Sequence, residues 1–202
     1  MHLLQSTGSS SFWQLIQPFD EWLLVKINND WGNPVFDSIL PLFRETLFWF
    51  PLYLLVFMWV IIRYRVQGLW WVAGLLLTAA LSDLISSQVI KENIFRTRPC
   101  QDAEVGNMIR FFINYCPKSS SFTSSHATTH FGQAMFYFIT LRHVGKWWML
   151  AFGWAFAIVY TQVYVGVHYP FDVACGALLG CLIGWLTAKL FIKQTGMLSL
   201  DK

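Results

Sequence analysis

Reactive and charged side chains gather in three short segments of a chain that is otherwise largely apolar. They are Lys91, Arg96 and Arg98, then His126 and His130, and then His168 and Asp172. A lysine offers a point charge and an arginine a two-pronged donor, a combination suited to phosphate. A histidine that faces a carboxylate through one ring nitrogen keeps the other free as a nucleophile or base. The three segments therefore predict a site that handles phosphate.

The second segment is expected to begin a helix, with Ser124 and Ser125 just before it. Unpaired N–H groups and the helix dipole favour an anion at such a start, although Ser124 could cap the helix at the same time. His126 then lies on the first turn, and His130 lies one turn deeper on the same face. The spacing of the two histidines would also suit a metal, but no third ligand of matching spacing appears.

The elements that must position these residues are membrane helices. The chain has 202 residues, of which 55% are hydrophobic and 12% charged, against roughly 25% charged in soluble domains. This composition excludes a disordered protein and argues against a nucleic-acid binder, despite the net charge of +3. We predict an all-α membrane bundle of five transmembrane helices, because five stretches approach the length of a spanning helix. They are Thr46–Ile62, Leu69–Ile90, Ser124–Leu141, Trp147–Val167 and Val173–Ala188.

The short loops and the tail orient this bundle. If five helices alternate, one side holds seven basic residues and a single acid, Asp201, while the other holds seven basic residues and nine acids. We expect the first side to be cytoplasmic, so that the site faces the periplasm or exterior of a plasma or bacterial inner membrane. The transmembrane phosphatase domain is then residues 46–194, and residues 195–202 form a cytoplasmic tail.

Residues 1–45 differ from the rest, because apolar residues recur at helical spacing among Asp20, Glu21 and Lys26. Asn28 and Pro34 stand in the stretch that is expected to break the helix. We predict amphipathic helices that lie in the outer interface. A sixth membrane span is the alternative, and it is weaker because the uncharged runs are short.

Two further polar features invite a structural interpretation. Cys100 and Cys116 lie in a polar segment on the outer side, where an oxidising compartment would permit a disulfide; the alternative is two free thiols. Asp83 shares a polar stripe with neighbouring serines and is expected to form hydrogen bonds within the bundle.

In order and spacing, the three segments resemble the type-2 phosphatidic acid phosphatase family of membrane lipid phosphatases. The family pattern is K-x6-RP, then PSGH, then SR-x5-H-x3-D. The chain matches the first motif fully with Lys91 to Pro99, the second at Ser124 and His126, and the third at His168 and Asp172. The SSH form of the second motif and the two outer cysteines resemble a bacterial subgroup.

The resemblance implies a role for each matched residue. His168 would attack phosphorus and form a phosphohistidine while Asp172 orients it, and His126 would protonate the leaving oxygen and later activate water. Lys91, Arg98 and the backbone of Ser124 and Ser125 would hold the phosphoryl oxygens. No metal or other cofactor is expected.

One departure from the pattern concerns the third motif, where Gln162 replaces the family arginine. A neutral amide can donate a hydrogen bond but supplies no charge. Arg96, Lys118 or His130 could compensate for the lost charge. Ser125 in place of glycine also restricts the backbone of the phosphate loop.

The expected function is hydrolysis of a lipid phosphate or diphosphate, with undecaprenyl diphosphate among the candidates. The expected partners are this substrate and membrane lipids, with no nucleic acid, and the oligomeric state stays open. An alternative is a catalytically weak or silent protein that binds or transports lipid phosphates on the same scaffold. A histidine-ligated redox bundle is a third possibility, and it would give a coloured preparation.

Overall fold

The computed structural model describes residues 7–198, and within that range the chain is helical, with no strand among the residues described. The main helices are α1 (Thr7–Val25), α2 (Pro34–Phe43), α3 (Thr46–Leu84), α4 (Lys91–Asn93), α5 (Ser125–Leu141), α6 (Leu150–Tyr164) and α7 (Pro170–Thr195). The wider turns Lys26–Asp30 and Ile85–Ile90 extend α1 and α3. The all-α prediction is confirmed for these residues.

The long helix α3 is divided at Arg65, where the backbone leaves the helical region with φ 48°. The chain folds back at this point, because a Cβ on Gly68 would lie 2.5 Å from the carbonyl oxygen of Val60. Glycine is therefore required where the two arms separate. The arms correspond to the first two apolar stretches of the sequence.

Helices α5 and α7 form the closest helix pair in the bundle. Gly176, Gly180 and Gly184 follow one another on one face of α7 and meet the backbone of α5 at Ser124, Thr128 and Gly132. A Cβ on Gly176 would lie 2.7 Å from the carbonyl oxygen of Ser124. Small residues at every fourth position permit this approach, which brings the start of α7 against the start of α5.

The N-terminal helices lie over the same end of the bundle. Asn33 caps α2 by accepting hydrogen bonds from the N–H groups of Val35 and Phe36, and Pro34 occupies the first turn. The buried Asn28 side chain donates to the carbonyl oxygens of Arg110 and Tyr164 at 2.8 and 2.6 Å. The break expected near Asn28 falls after Asp30, because the helix first widens over Lys26–Asp30.

Two helices, Thr46–Asn93 and Pro170–Thr195, are long and apolar enough to cross a membrane, and Pro34–Phe43 and Leu150–Tyr164 are shorter apolar helices. The count of five transmembrane helices stays a prediction, as do the domain boundaries. The first six residues of the 1–45 segment and residues 199–202 of the predicted tail lie outside the described part of the chain.

Candidate active site

The three sequence segments meet where α3 and α4 end and where α5 and α7 begin. A proline lies at two of these junctions: Pro99 follows Arg98, and Pro170 is the first residue of α7. Ser124 caps α5 by accepting a hydrogen bond from the N–H of Ala127, and its own N–H donates to the carbonyl oxygen of Asp172 at 3.2 Å. This last bond holds the second and third segments together.

His168 lies at the centre of the site with a relative exposure of 3%. Its Nε2 atom is 3.1 Å from Nη1 of Arg98. Because a guanidinium only donates, Nε2 accepts this hydrogen bond and the ring proton resides on Nδ1. Burial lowers the pKa of His168 to about 3, and the charge of Arg98 acts in the same direction. The imidazole is therefore neutral at pH 7, as a nucleophile requires.

Ser121 lies between the imidazole and the carboxylate of Asp172. Its Oγ donates to Oδ2 of Asp172 at 2.5 Å and is 3.4 Å from Nδ1 of His168. The direct distance from Nδ1 to Oδ2 is 3.7 Å, which is too long for a hydrogen bond. Ser121 thus connects the pair, a role that sequence reasoning did not assign to it.

The Arg96 guanidinium occupies a different position from the one expected of a phosphate ligand. Nη1 donates to Oδ1 of Asp172 at 2.6 Å, and Nη2 donates to Oδ2 of Asp20 at 2.7 Å and to Gln17 at 3.0 Å. Oδ1 of Asp20 accepts from the N–H of Phe171 at 2.8 Å. Two buried carboxylates therefore hold Arg96, and this corrects the expectation that it replaces the charge lost at position 162.

Asp20 and Gln17 bring α1 into the site, although neither stood out in the sequence. Both precede the three motifs by more than 70 residues in the chain, and an acid on an amphipathic helix ordinarily faces solvent. Burial raises the pKa of Asp20, and the guanidinium of Arg96 opposes that rise. The one signal available was an acid within a chain that contains few charges.

Arg98 is held almost entirely by its surroundings. Besides His168, it donates to the carbonyl oxygens of Ser119, Val167 and Ser120 at 2.8, 3.0 and 3.2 Å. Burial lowers its pKa to about 10, so it remains a cation at neutral pH. Lys91 is half-buried nearby and interacts electrostatically with Arg98 and Asp172.

The start of α5 supplies further donors. Ser124 caps the N–H of Ala127, which leaves the N–H groups of Ser125 and His126 in the first turn without intrahelical partners. Oγ of Ser125 is 3.0 Å from Oγ of Ser86, so this side chain contacts the end of α3. The N–H groups can therefore serve an anion beside Arg98.

His126 lies where the polar site meets an apolar groove of about 490 Å³ between α3 and α5. Thr46, Phe50 and Leu76 are among its lining residues, so the groove runs between the two arms of α3. Asp83 also lines it and is exposed, which corrects the expectation that this side chain serves hydrogen bonding within the bundle.

The remaining candidates lie at different depths. His130 lines the groove, with its ring centroid 6.2 Å from that of His126 and 5.0 Å from that of Trp154. Lys118 is exposed on the outer loop. Gln162 is buried beneath His168, whose N–H donates to the Gln162 carbonyl, and its side-chain Nε2 has no hydrogen-bond partner among the described residues.

Cys100 and Cys116 are joined by a disulfide, with their Cα atoms 6.0 Å apart. The bond ties the residues after Arg98 to the outer loop that follows Asn107. Cys175 and Cys181 are free. The outer loop is thus anchored to the segment that carries the principal arginine of the site.

Comparison with known proteins finds a matching family model and similar chains. A family model described as the PAP2 superfamily matches residues 69–195. A lipid A 4′-phosphatase of Bacteroides thetaiotaomicron is 27% identical over 192 residues, which cover 93% of this chain and 84% of that protein. An undecaprenyl-diphosphatase of Sulfolobus acidocaldarius is 38% identical over 81 residues, which cover 40% of this chain and 37% of that protein.

A solved structure shares the fold. The transmembrane PAP2-type phosphatidylglycerolphosphate phosphatase of Bacillus subtilis superposes with a TM-score of 0.64 and 23% identity, covering 89% of this chain and 87% of that chain.

Proposed function

This chain belongs to the PAP2 superfamily, and on that premise we propose that it is an integral membrane lipid phosphatase that acts through a phosphohistidine intermediate. The observation that carries the proposal is the buried, neutral His168, whose Nε2 is 3.1 Å from Arg98. A nucleophile and a phosphate-binding cation are then adjacent before any substrate binds.

The first step of the proposed reaction uses His168 and its neighbours. Nε2 attacks phosphorus, and the positive charge that develops on the ring is stabilised by Asp172, through Ser121. Arg98 exchanges its contact with Nε2 for one with a phosphoryl oxygen. Lys91 and the N–H groups at the start of α5 bind the remaining oxygens, as electrostatic stabilisation of phosphoryl transfer requires.

The second residue of the reaction is His126. It lines the groove, so its imidazole is suited to protonate the leaving oxygen of a lipid whose tail lies in that groove. After the lipid departs, the same imidazole takes a proton from water, which attacks the phosphohistidine and releases phosphate. Cations and helix N–H groups supply the electrostatic stabilisation, so we expect turnover without a metal.

The proposed substrate is a lipid phosphate or diphosphate. A headgroup at the polar site and a tail in the apolar groove fit such a molecule, and the named activities of the two relatives, on lipid A and on undecaprenyl diphosphate, fall within this class. The excess of acids on the outer side supports a site that faces the periplasm or exterior.

A second candidate is a silent protein that binds or transports lipid phosphates. It draws on Gln162, whose amide occupies the position of the family arginine with no partner for Nε2 among the described residues. A lost charged donor weakens transition-state binding more than ground-state binding where it is used. Turnover therefore separates the two candidates.

The test is release of phosphate from lipid phosphates by the purified protein in detergent with EDTA present. We expect turnover by the wild type, loss of activity in His168→Ala and His126→Ala, and no change in the matched control His143→Ala, which alters an exposed residue at the far end of α5. A ³²P label that is stable to base and labile to acid should require His168. Binding without turnover on every lipid phosphate would favour the silent protein.

A further inference from the structure

Arg44 is a buried cation that neither the motifs nor the proposed reaction uses. It follows α2 directly and has a relative exposure of 9%. Its Nη2 donates to Oη of Tyr115 at 3.4 Å, while its Nε is buried without a hydrogen-bond partner among the described residues. None of the ion pairs within residues 7–198 includes it.

A buried guanidinium that lacks an ion pair and a full set of hydrogen bonds among the described residues indicates a binding position for an anion. Removing a charge from water is costly unless a counter-charge and hydrogen bonds replace the lost solvent. Arg44 offers five N–H donors, and Tyr115 accepts from one of its nitrogens. Arginine is also the side chain best suited to bind the paired oxygens of phosphate.

The position of Arg44 indicates which part of a substrate it would meet. Its charge acts on Arg98, so it lies in the same electrostatic cluster as the site. Thr46, two residues after Arg44, lines the groove together with His126. Arg44 therefore lies on the side of the leaving group.

The outer loop holds Arg44 in place. The guanidinium carbon is 5.4 Å from the centroid of the Tyr115 ring, within the range of a cation–π contact. Tyr115 adjoins Cys116, whose disulfide partner Cys100 is two residues after Arg98. The disulfide thus connects the loop segment that contacts Arg44 to the segment that carries Arg98.

We infer that Arg44 binds the phosphate that leaves, and that the preferred substrate is therefore a lipid diphosphate; this inference rests on the proposed function. When a monophosphate ester reacts, the leaving group is an alcohol, which needs a proton from His126 but no cation. When a diphosphate reacts, the leaving group is itself a phosphate and carries charge of its own. A guanidinium two residues from Thr46, which lines the groove together with His126, matches the second case.

Nε2 of His168 forms a bond to the terminal phosphorus, and the bond from that phosphorus to the bridging oxygen breaks, with its electron pair passing to the oxygen. His126 gives this oxygen a proton, and Arg44 binds the other oxygens of the departing lipid monophosphate. Water then gives a proton to His126 and attacks the phosphohistidine. The bond between phosphorus and Nε2 breaks, inorganic phosphate leaves, and both histidines are restored.

The experiment compares farnesyl diphosphate with farnesyl monophosphate, which share one tail. We expect Arg44→Gln to lower kcat/KM for the diphosphate by about 10- to 100-fold, the usual range for one charge-assisted contact, and for the monophosphate by less than threefold. Arg44→Lys should restore part of the diphosphate activity. Arg142→Gln, which neutralises an exposed arginine at the far end of α5, is the matched control and should change neither.

A milder variant and a binding measurement guard against misfolding. Tyr115→Phe keeps the ring over Arg44 but removes Oη, and it should lower the diphosphate activity a few-fold and selectively. Inorganic pyrophosphate should inhibit the wild type more strongly than orthophosphate does, and Arg44→Gln should abolish that difference.

Two results would overturn the inference while leaving the proposed function intact: equal losses on both substrates, or no loss on either. If the wild type hydrolyses neither substrate, the proposed function fails. Stabilisation of the protein by inorganic pyrophosphate against thermal unfolding then still decides the role of Arg44, since an effect equal in wild type and Arg44→Gln refutes it.

Discussion

Replacing Ser121 by alanine tests whether this hydroxyl couples the carboxylate of Asp172 to the nucleophile. Oγ donates to Oδ2 of Asp172 at 2.5 Å and lies 3.4 Å from Nδ1 of His168. Without it, the imidazole faces a carboxylate oxygen at 3.7 Å. The ring then loses orientation, and the positive charge that forms on it during attack is stabilised less well.

The size of the effect follows from the bond that is lost. A hydrogen bond to a charged group contributes about 1.5–3 kcal/mol, and each 1.36 kcal/mol of activation free energy is about a factor of ten in rate. We therefore expect kcat to fall by about 10- to 150-fold. KM should change little, because Ser121 contacts the nucleophile and its carboxylate rather than the substrate.

The assay is steady-state phosphate release by purified Ser121→Ala. The matched control is Ser38→Ala, which removes a hydroxyl that donates to the Pro34 carbonyl oxygen of its own helix. In a double-mutant cycle with Asp172→Asn, Ser121→Ala should cost less than threefold, since the carboxylate that it serves is gone. A kcat within twofold of wild type, or fully additive losses, would refute the coupling.

Three further predictions concern other parts of the site. Gln162→Arg should raise kcat several-fold, because the arginine supplies a charge where Nε2 of Gln162 has no partner among the described residues. Gln162→Met should lower kcat. A fall in kcat for the arginine variant would contradict this prediction. Cys100→Ser should lower the free energy of unfolding by about 3 kcal/mol, measured by thermal unfolding, with Cys175→Ser, which alters a free thiol, as control. The pKa of His168 in the folded protein is lowered to about 3, so its contribution to stability is present above pH 6.5 and lost as the pH falls towards 3. The free energy of unfolding of His168→Gln should therefore depend less on pH over that interval than that of the wild type. An equal pH dependence in the two proteins would contradict this.

The sequence predicts the parts of the site that depend on local signals. The three motifs lie where helices begin or end. These positions are marked by the proline after Arg98, the serine cap before His126 and the proline at the start of α7. The order of the motifs predicts the family of the chain, and the match over residues 69–195 confirms it. The two arms of α3 correspond to two apolar stretches whose lengths approach that of a membrane-spanning helix.

The residues that were missed depend on contacts between distant parts of the chain. Asp20 meets Arg96 across 76 positions, and Arg44 meets Tyr115 across 71. The hydrophobic periodicity of the sequence does not indicate which cation pairs with which carboxylate. Arg96, one of three candidates for the charge lost at position 162, pairs with Asp172 and Asp20 instead. Charge and proximity along the chain identified the cluster but not the partner of each member.

The N-terminal segment contributes buried contacts to the candidate active site. The family model begins at residue 69, yet Asp20 on α1 neutralises part of the charge that Arg96 presents to Asp172. Without Asp20, the whole charge of the Arg96 guanidinium would act on Asp172. The carboxylate would then accept the hydrogen bond from Ser121 less strongly and would stabilise less well the positive charge that forms on the His168 ring. A helix that the motifs do not include therefore contributes to the charge around Asp172, the carboxylate next to the proposed nucleophile. Arg44 extends the same principle to the leaving group, since it also comes from the segment before residue 69.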